Sequence, residues 1–184
     1  MLKKLKFVTG NPDKLREASE ILGVKLQQAD IELEELQTIN VEDLIIHKAE
    51  QAYMKIRCPL IVEDTGLVFL AWNGLPGALI KWFQKTVDNA GIVKMLESET
   101  DRRALAQCFA AFHDGSRITV VKGELPGTIA QSVRGENGFG WDRIFIHDGH
   151  TRTFGEMPAS EKNSFSHRKI AFDNLKKHFE TGNA

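Results

Sequence analysis

The sequence predicts an α/β chain built on a mixed sheet with flanking helices. Three observations carry that expectation. Apolar residues recur at helical spacing through much of the first hundred positions. The middle holds two strand-like runs joined by Asp114-Gly115, a hairpin signal. A further helical segment closes the chain. Helices first and antiparallel strands next do not match the regular alternation of a doubly wound fold.

The elements follow in order. Residues 5–9 read as a strand that ends in Gly10-Asn11-Pro12. Asn11 is a good N-cap, Pro12 suits the first helical position, and Leu15, Ala18, Ile21 and Leu22 form an apolar stripe stopped by Gly23. Residues 24–33 suggest a second strand broken near Asp30. Residues 41–56 are helical behind Asn40, and residues 60–63 form a short buried strand. Two helices, 79–86 and 88–98, are expected with a break near Val87. Residues 104–112 are rich in alanine, but the turn at Asp114-Gly115 and the alternation over 117–123 favour a long hairpin. Strands at 127–133 and 143–147 precede a last helix at 163–179.

Composition narrows the classes. The 184 residues fit one domain, with 42% apolar and 27% charged residues. A net charge of −1 provides no overall basic field for nucleic acid, so any anion site must come from local clustering. Cys58 and Cys108 form no metal or redox motif and read as reduced, packed thiols of a cytoplasmic protein. The start at Lys3-Lys4-Leu5-Lys6 lacks the apolar core of a signal peptide, and no run approaches the roughly 18 apolar residues of a membrane span.

Six segments could carry chemistry. Lys14 falls in the first turn of a helix, where the dipole disfavours a cation by roughly 0.3–1 kcal/mol. A bound anion reverses that sign; a solvated lysine offset by Asp13 and Glu17 is the alternative. Lys48 lies in or beside the apolar stripe of its helix, either snorkelling or aimed into a polar cleft. Glu63 and Asp64 end an apolar strand and face opposite ways, so they do not share one role; carboxylates there are costly unless paired or bound to a hard cation such as Mg²⁺, the alternative being a solvated loop carboxylate or a helix cap. Asp64-Thr65-Gly66 also matches the triplet of aspartic proteases, a rival reading that pairs Asp64 across a twofold axis. Lys81, between a Gly-Leu-Pro-Gly turn and Trp82-Phe83, reads by itself as an exposed lysine. Phe139, Gly140, Trp141 and Asp142 offer either exposed rings for stacking a base or a β-bulge with core aromatics. Lys162, His167, Arg168 and Lys169 crowd the start of the last helix, again the wrong sign for the dipole. His167 and Arg168 can donate to a carbonyl oxygen.

Together these segments resemble the inosine triphosphate pyrophosphatase family. The resemblance runs from Thr9-Gly10-Asn11 and Lys14 through Glu63-Asp64-Thr65-Gly66, Gly74-Leu75-Pro76-Gly77 and Phe139-Gly140-Trp141-Asp142 to Ser166-His167-Arg168. Ile80-Lys81-Trp82-Phe83 is similar to the eukaryotic and archaeal branch, whereas Ala78-Leu79 departs from the usual Pro-Tyr. Glu34-Glu35-Leu36-Gln37 resembles a Pro-Glu-x-Gln segment without its proline. The resemblance implies an elongated sheet in two lobes around a central active-site cleft, one domain over residues 1–184 and a homodimer. It implies hydrolysis of ITP, dITP or XTP to the monophosphate and pyrophosphate with Mg²⁺, for which Mn²⁺ can substitute. Lys14 and the Thr9–Asn11 turn would cradle the triphosphate, helped by Lys48, Thr65 and Lys81. Glu35 and Asp64 would hold the metal, and Asp64 would orient or deprotonate the attacking water, with Glu63 in reserve. Phe139, Gly140 and Trp141 would take the base, with Asp142, Lys162, His167 and Arg168 around it.

Overall fold

The computed structural model describes residues 5–181; Lys3 and Lys4 of the basic start lie outside them. The elements are β1 (Lys6–Val8), α1 (Pro12–Leu22), β2 (Gln27–Ala29), α2 (Val41–Ile56), β3 (Leu60–Phe69), β4 (Pro76–Gly77), α3 (Ile80–Met95), β5 (Arg103–His113), β6 (Ile118–Ile129), β7 (Phe145–His147), α4 (Ala159–Lys162) and α5 (His167–Glu180). They form one seven-stranded mixed sheet in the order β2-β1-β3-β5-β6-β7, with β4 paired to β3. β1 lies parallel to β2 and β3, and the remaining pairs are antiparallel. Among the described residues, no helix is long and apolar enough to cross a membrane.

Local signals set the helix ends. Asn11 caps α1 through its Oδ1, which accepts from the N–H groups of Asp13 at 2.9 Å and Lys14 at 3.3 Å. Gly23 ends that helix in the left-handed region at φ 67°. Asn40 caps α2 and Ser166 caps α5. The expected break in α3 falls at Asp88, whose φ of 53° and ψ of −170° are not helical.

Strand alternation builds two core layers. Leu60 and Val62 of β3 pack with Val41, Ile45 and Ala49 of α2. Ile61, between them, points the other way, into a cluster with Ala18 of α1 and Phe172 and Leu175 of α5. The period-two rule therefore sends Glu63 toward α1 and α5, and Asp64 toward α2. α5 rests directly on β6 at Gly123, where a Cβ would come within 2.1 Å of the His167 carbonyl oxygen. Any larger residue would push the start of α5, and with it Arg168, off the sheet.

Several boundaries differ from the sequence expectation. The short strand at 60–63 runs on to Phe69, because β5 pairs with it from Leu60↔His113 to Phe69↔Ala104. Glu63 and Asp64 thus sit in mid-strand. The separate strand at 127–133 is instead the end of β6, which pairs with β5 as far as Thr128. The second strand shrinks to Gln27–Ala29, held by β1 alone. The last helix begins at His167, after a separate turn of helix at Ala159–Lys162.

Candidate active site

A cavity of about 500 Å³ opens where β1, α1, α2, β3, α3 and the 139–142 loop meet. Its lining includes Thr9, Gly10, Asn11, Lys14, Glu35, Lys48, Glu63, Asp64, Thr65, Lys81, Gln84, Phe139, Gly140, Trp141, Asp142, His167 and Arg168. Of the residues picked from the sequence, Lys162 does not line it.

The charges form one alternating chain. Lys81 bonds Glu35, and Glu35 lies 3.7 Å from the Lys48 ammonium. Lys48 bonds Asp64 Oδ2, and the other Asp64 oxygen is 3.3 Å from Lys14. Lys14 is 3.7 Å from Glu63, whose Oε1 accepts from Arg168 at 3.1 Å. Arg168 continues to Glu17 at 2.5 Å, and Glu17 to Lys162 at 2.9 Å. Lys162 ends on Asp142 at 2.6 Å, and the same Asp142 oxygen accepts the Phe139 N–H at 2.8 Å. Side-chain exposure falls from 51% at Lys81 to 1% at Arg168 and 2% at Lys162. One end of the chain is wet and the other is dry.

The proton affinities follow from this arrangement. Burial would raise Asp64, but Lys14 and Lys48 overcome it and hold the carboxyl far below its ordinary range. Burial would lower Lys14, yet Asp64 and Glu63 raise it. Glu35 is lowered despite burial by Lys81 and Lys48. Glu17 is lowered in the same way by Arg168 and Lys162. At Asp142 burial wins over Lys162 and raises the carboxyl. His167 is pushed well below 6.5 by burial first, then by Arg168, Lys162 and Lys14. Its Nδ1 is buried without a hydrogen-bond partner.

Several expectations need correction. Lys14 is not a surface lysine offset by Asp13 and Glu17: Asp13 pairs with Arg16 at 2.5 Å, and Glu17 is buried on Lys162 and Arg168. The aspartic-protease reading fails, because such a dyad shares a proton between two aspartates, whereas Asp64 is flanked by two lysines that keep it ionised. Trp141 is not an exposed platform. It is 5% exposed and packs 5.0 Å from the His167 ring and 5.6 Å from Phe145. Lys162 is not a cation at the start of the last helix but a buried member of the ion chain, 4.8 Å from the Phe139 ring centre. The guanidinium of Arg168 is committed to Glu17 and Glu63.

The sequence reading placed neither Glu17 nor Cys108 at the site, although it read Cys108 as the reduced, packed thiol it is. Glu17 lies one turn after Lys14 on α1, the single signal that it shares the cavity face. Cys108 is buried on β5, with its thiol 3.5 Å from Glu63 Oε1; burial, then Glu63, raise that thiol well above its ordinary range. Both cysteines are free, but only Cys108 is fully packed.

Glu35 and Asp64 are the carboxylates that could share a cation, since the Lys48 ammonium already contacts both. Oxygen donors of this kind suit a hard divalent ion that takes its remaining ligands from water or substrate.

Burial of neutral His167 predicts a pH effect. The unfolded imidazole binds a proton near pH 6.5, but the folded one does so only well below that. Between those values the unfolded state holds more protons, so stability falls as pH drops below about 6.5, by up to about 1.4 kcal/mol per pH unit. Melting temperatures at pH 7.5 and 5.5 should show the fall, and His167→Gln should flatten it.

A mixed α/β sheet with a lysine- and carboxylate-lined cavity is thus the class to which the chain conforms. It belongs to the Ham1 family, whose model matches residues 5–178. An inosine triphosphate pyrophosphatase from Yarrowia lipolytica is 42% identical over 175 residues, 92% of each chain. Another, from Batrachochytrium dendrobatidis, is 41% identical over 95% of this chain and 93% of its own. A HAM1 protein structure from Coxiella burnetii is similar at a TM-score of 0.82 and 31% identity, covering 96% of this chain and 99% of that one.

Proposed function

We propose that the protein hydrolyses non-standard purine nucleoside triphosphates, ITP, dITP and XTP, to the monophosphate and pyrophosphate, and so cleanses the nucleotide pool. The observation that carries this reading is the alternating ion chain, wet at Lys81–Lys14 and dry at Arg168–Lys162, ending on the Phe139 loop. Its wet end matches a triphosphate and its dry end a base. The named relatives support the same reaction.

The lysines now neutralise Glu35 and Asp64. An arriving triphosphate would draw Lys14, Lys48 and Lys81 onto its oxygens and free the two carboxylates for Mg²⁺, or Mn²⁺ in its place. Thr9, Gly10, Asn11 and Thr65 border the phosphate end. When bound, the metal neutralises charge on the phosphate and polarises its phosphorus–oxygen bonds. Asp64 stays ionised and is the residue to orient the attacking water toward the α-phosphorus. At the dry end Phe139, Gly140 and the buried Trp141 and Asp142 shape the base pocket. His167 supplies the unpaired polar group there, and Lys162 and Arg168 hold the pocket from behind. Hypoxanthine and xanthine present a 6-oxo acceptor where adenine presents a donor, and a polar mismatch of that kind discriminates strongly.

The same reading makes the protein a single-domain cytoplasmic homodimer, with no nucleic-acid or membrane partner. The exposed Ile39, Leu70, Leu75 and Trp82 supply apolar surface for a contact between copies.

Product analysis tests the reaction. Purified protein with Mg²⁺ should convert ITP and XTP to the monophosphate plus pyrophosphate and largely spare ATP. Release of IDP and phosphate would place attack at the γ-phosphorus and overturn the proposal. ITP binding with no product under several divalent metals would leave a binding module instead.

A further inference from the structure

α3 is two helical segments, and the break between them faces the loop that carries Phe139 and Asp142. Asp88 stands in the left-handed region, where a residue other than glycine is uncommon. Its carboxylate caps the second segment, accepting from Ala90 N at 2.7 Å and Gly91 N at 3.0 Å. The reversal brings Asn89 against the loop. The Asn89 Nδ2 donates to the Gly140 carbonyl oxygen at 2.9 Å, and its Oδ1 accepts from Gln84 Nε2 at 3.4 Å. Gln84 lines the cavity, as do Phe139 and Gly140. Gly140 is itself left-handed at φ 60°. Inside the loop the Phe139 N–H and carbonyl are bonded to Asp142, whereas the Gly140 carbonyl oxygen is met from outside by Asn89.

We infer that Asn89, braced by Gln84, is a positioning residue that ties the 138–142 loop to α3 and holds the cavity in shape for the base. The inference rests on the nucleotide reading above. Asn89 touches no reacting atom; it acts through Gly140, and through it on Phe139 and Asp142. The contact joins residues 51 positions apart. It links the element that supplies Lys81 to the loop that meets the base, beside the bonds that Lys162 and the Gly155 N–H make to Asp142 at the other end of that loop.

Two variants test this. Asn89→Ala removes both bonds. Asn89→Asp keeps the shape and the acceptor for Gln84, suits the start of a helical segment, and sets a carboxylate against the Gly140 carbonyl. Both should raise KM for ITP, roughly three- to ten-fold for the loss of one net hydrogen bond, with kcat little changed. Amide hydrogen exchange at residues 138–142, measured without nucleotide, should quicken in both. Unchanged KM and unchanged exchange would overturn the inference, as would a fall in kcat at constant KM. Failure of the native protein to hydrolyse ITP would defeat the functional reading alone, because the exchange comparison still tests the tie.

Discussion

Asp64→Asn should lower kcat for ITP by at least about a hundred-fold while leaving the fold in place, the scale of losing a positioned base or a charge in the transition state. The substitution is nearly isosteric, and the carboxamide oxygen can still accept the Thr65 N–H that Asp64 Oδ1 accepts at 2.9 Å. What goes is the negative charge between Lys14 and Lys48. Those two ammonium groups would then attract the triphosphate without a competing carboxylate, so KM should stay level or fall. A collapse of kcat with no rise in KM separates this role from simple substrate binding. Lys14→Ala should also stop turnover, but with a rise in KM. Steady-state rates of pyrophosphate release on both variants decide the matter, and full activity of Asp64→Asn would remove Asp64 from the mechanism. The effect should not depend on pH in the neutral range. Asp64 is held far below its ordinary value, so its stabilising charge is complete above the unfolded value near pH 4 and is lost only as pH falls through the lower folded value.

Arg168→Met should be the most destabilising single change at the site. The guanidinium is 1% exposed and lies between two buried carboxylates, Glu17 and Glu63. Burial would lower its proton affinity, but those carboxylates raise it. Methionine fills part of the volume and leaves Glu17 and Glu63 without their shared cation. Breaking a buried pair on one side costs about 3–5 kcal/mol, or roughly 6–20 °C of melting temperature in a protein of this size. The exposed Arg16–Asp13 pair, with side chains 49% and 36% exposed, is the contrast: Arg16→Met should move stability by less than about 1 kcal/mol. Adding Glu63→Gln to Arg168→Met should restore part of the loss, since the only cation Glu63 then keeps is the Lys14 ammonium at 3.7 Å, whereas Glu17 still has Lys162 at 2.9 Å. A melting temperature for Arg168→Met within about 2 °C of the native protein would show that the ion chain does not hold the core together.

Short-range chemistry made much of the fold legible. Asn11, Pro12 and Gly23 bounded α1 because caps act within a few residues. Asn40 did the same for α2. Asp114-Gly115 marked the hairpin because a tight turn is a local event, and its strands pair from Arg103↔Thr128 to His113↔Ile118. The family motifs brought most of the cavity lining into view, including Lys14, Asp64 and His167. Strand lengths were less accessible. Nothing local extends β3 to Phe69; its partner β5, some forty residues on, does.

The sequence by itself determined the mixed α/β class, the starts of α1 and α2, the hairpin and most of the residues that line the cavity. Only the tertiary structure decided how their charges are shared. Glu17 passed for a local offset to Lys14, but it bonds Arg168 across 151 positions and Lys162 across 145. Trp141 passed for an open ring, and packing against His167 and Phe145 closes it. Gln84 and Asn89 carried no motif, and the turn at Asp88 brought them to the Gly140 loop. The physical reason is the same in each case. A cap or a turn is satisfied by neighbours in the chain, whereas a buried charge or ring takes whichever partner the packed core brings beside it.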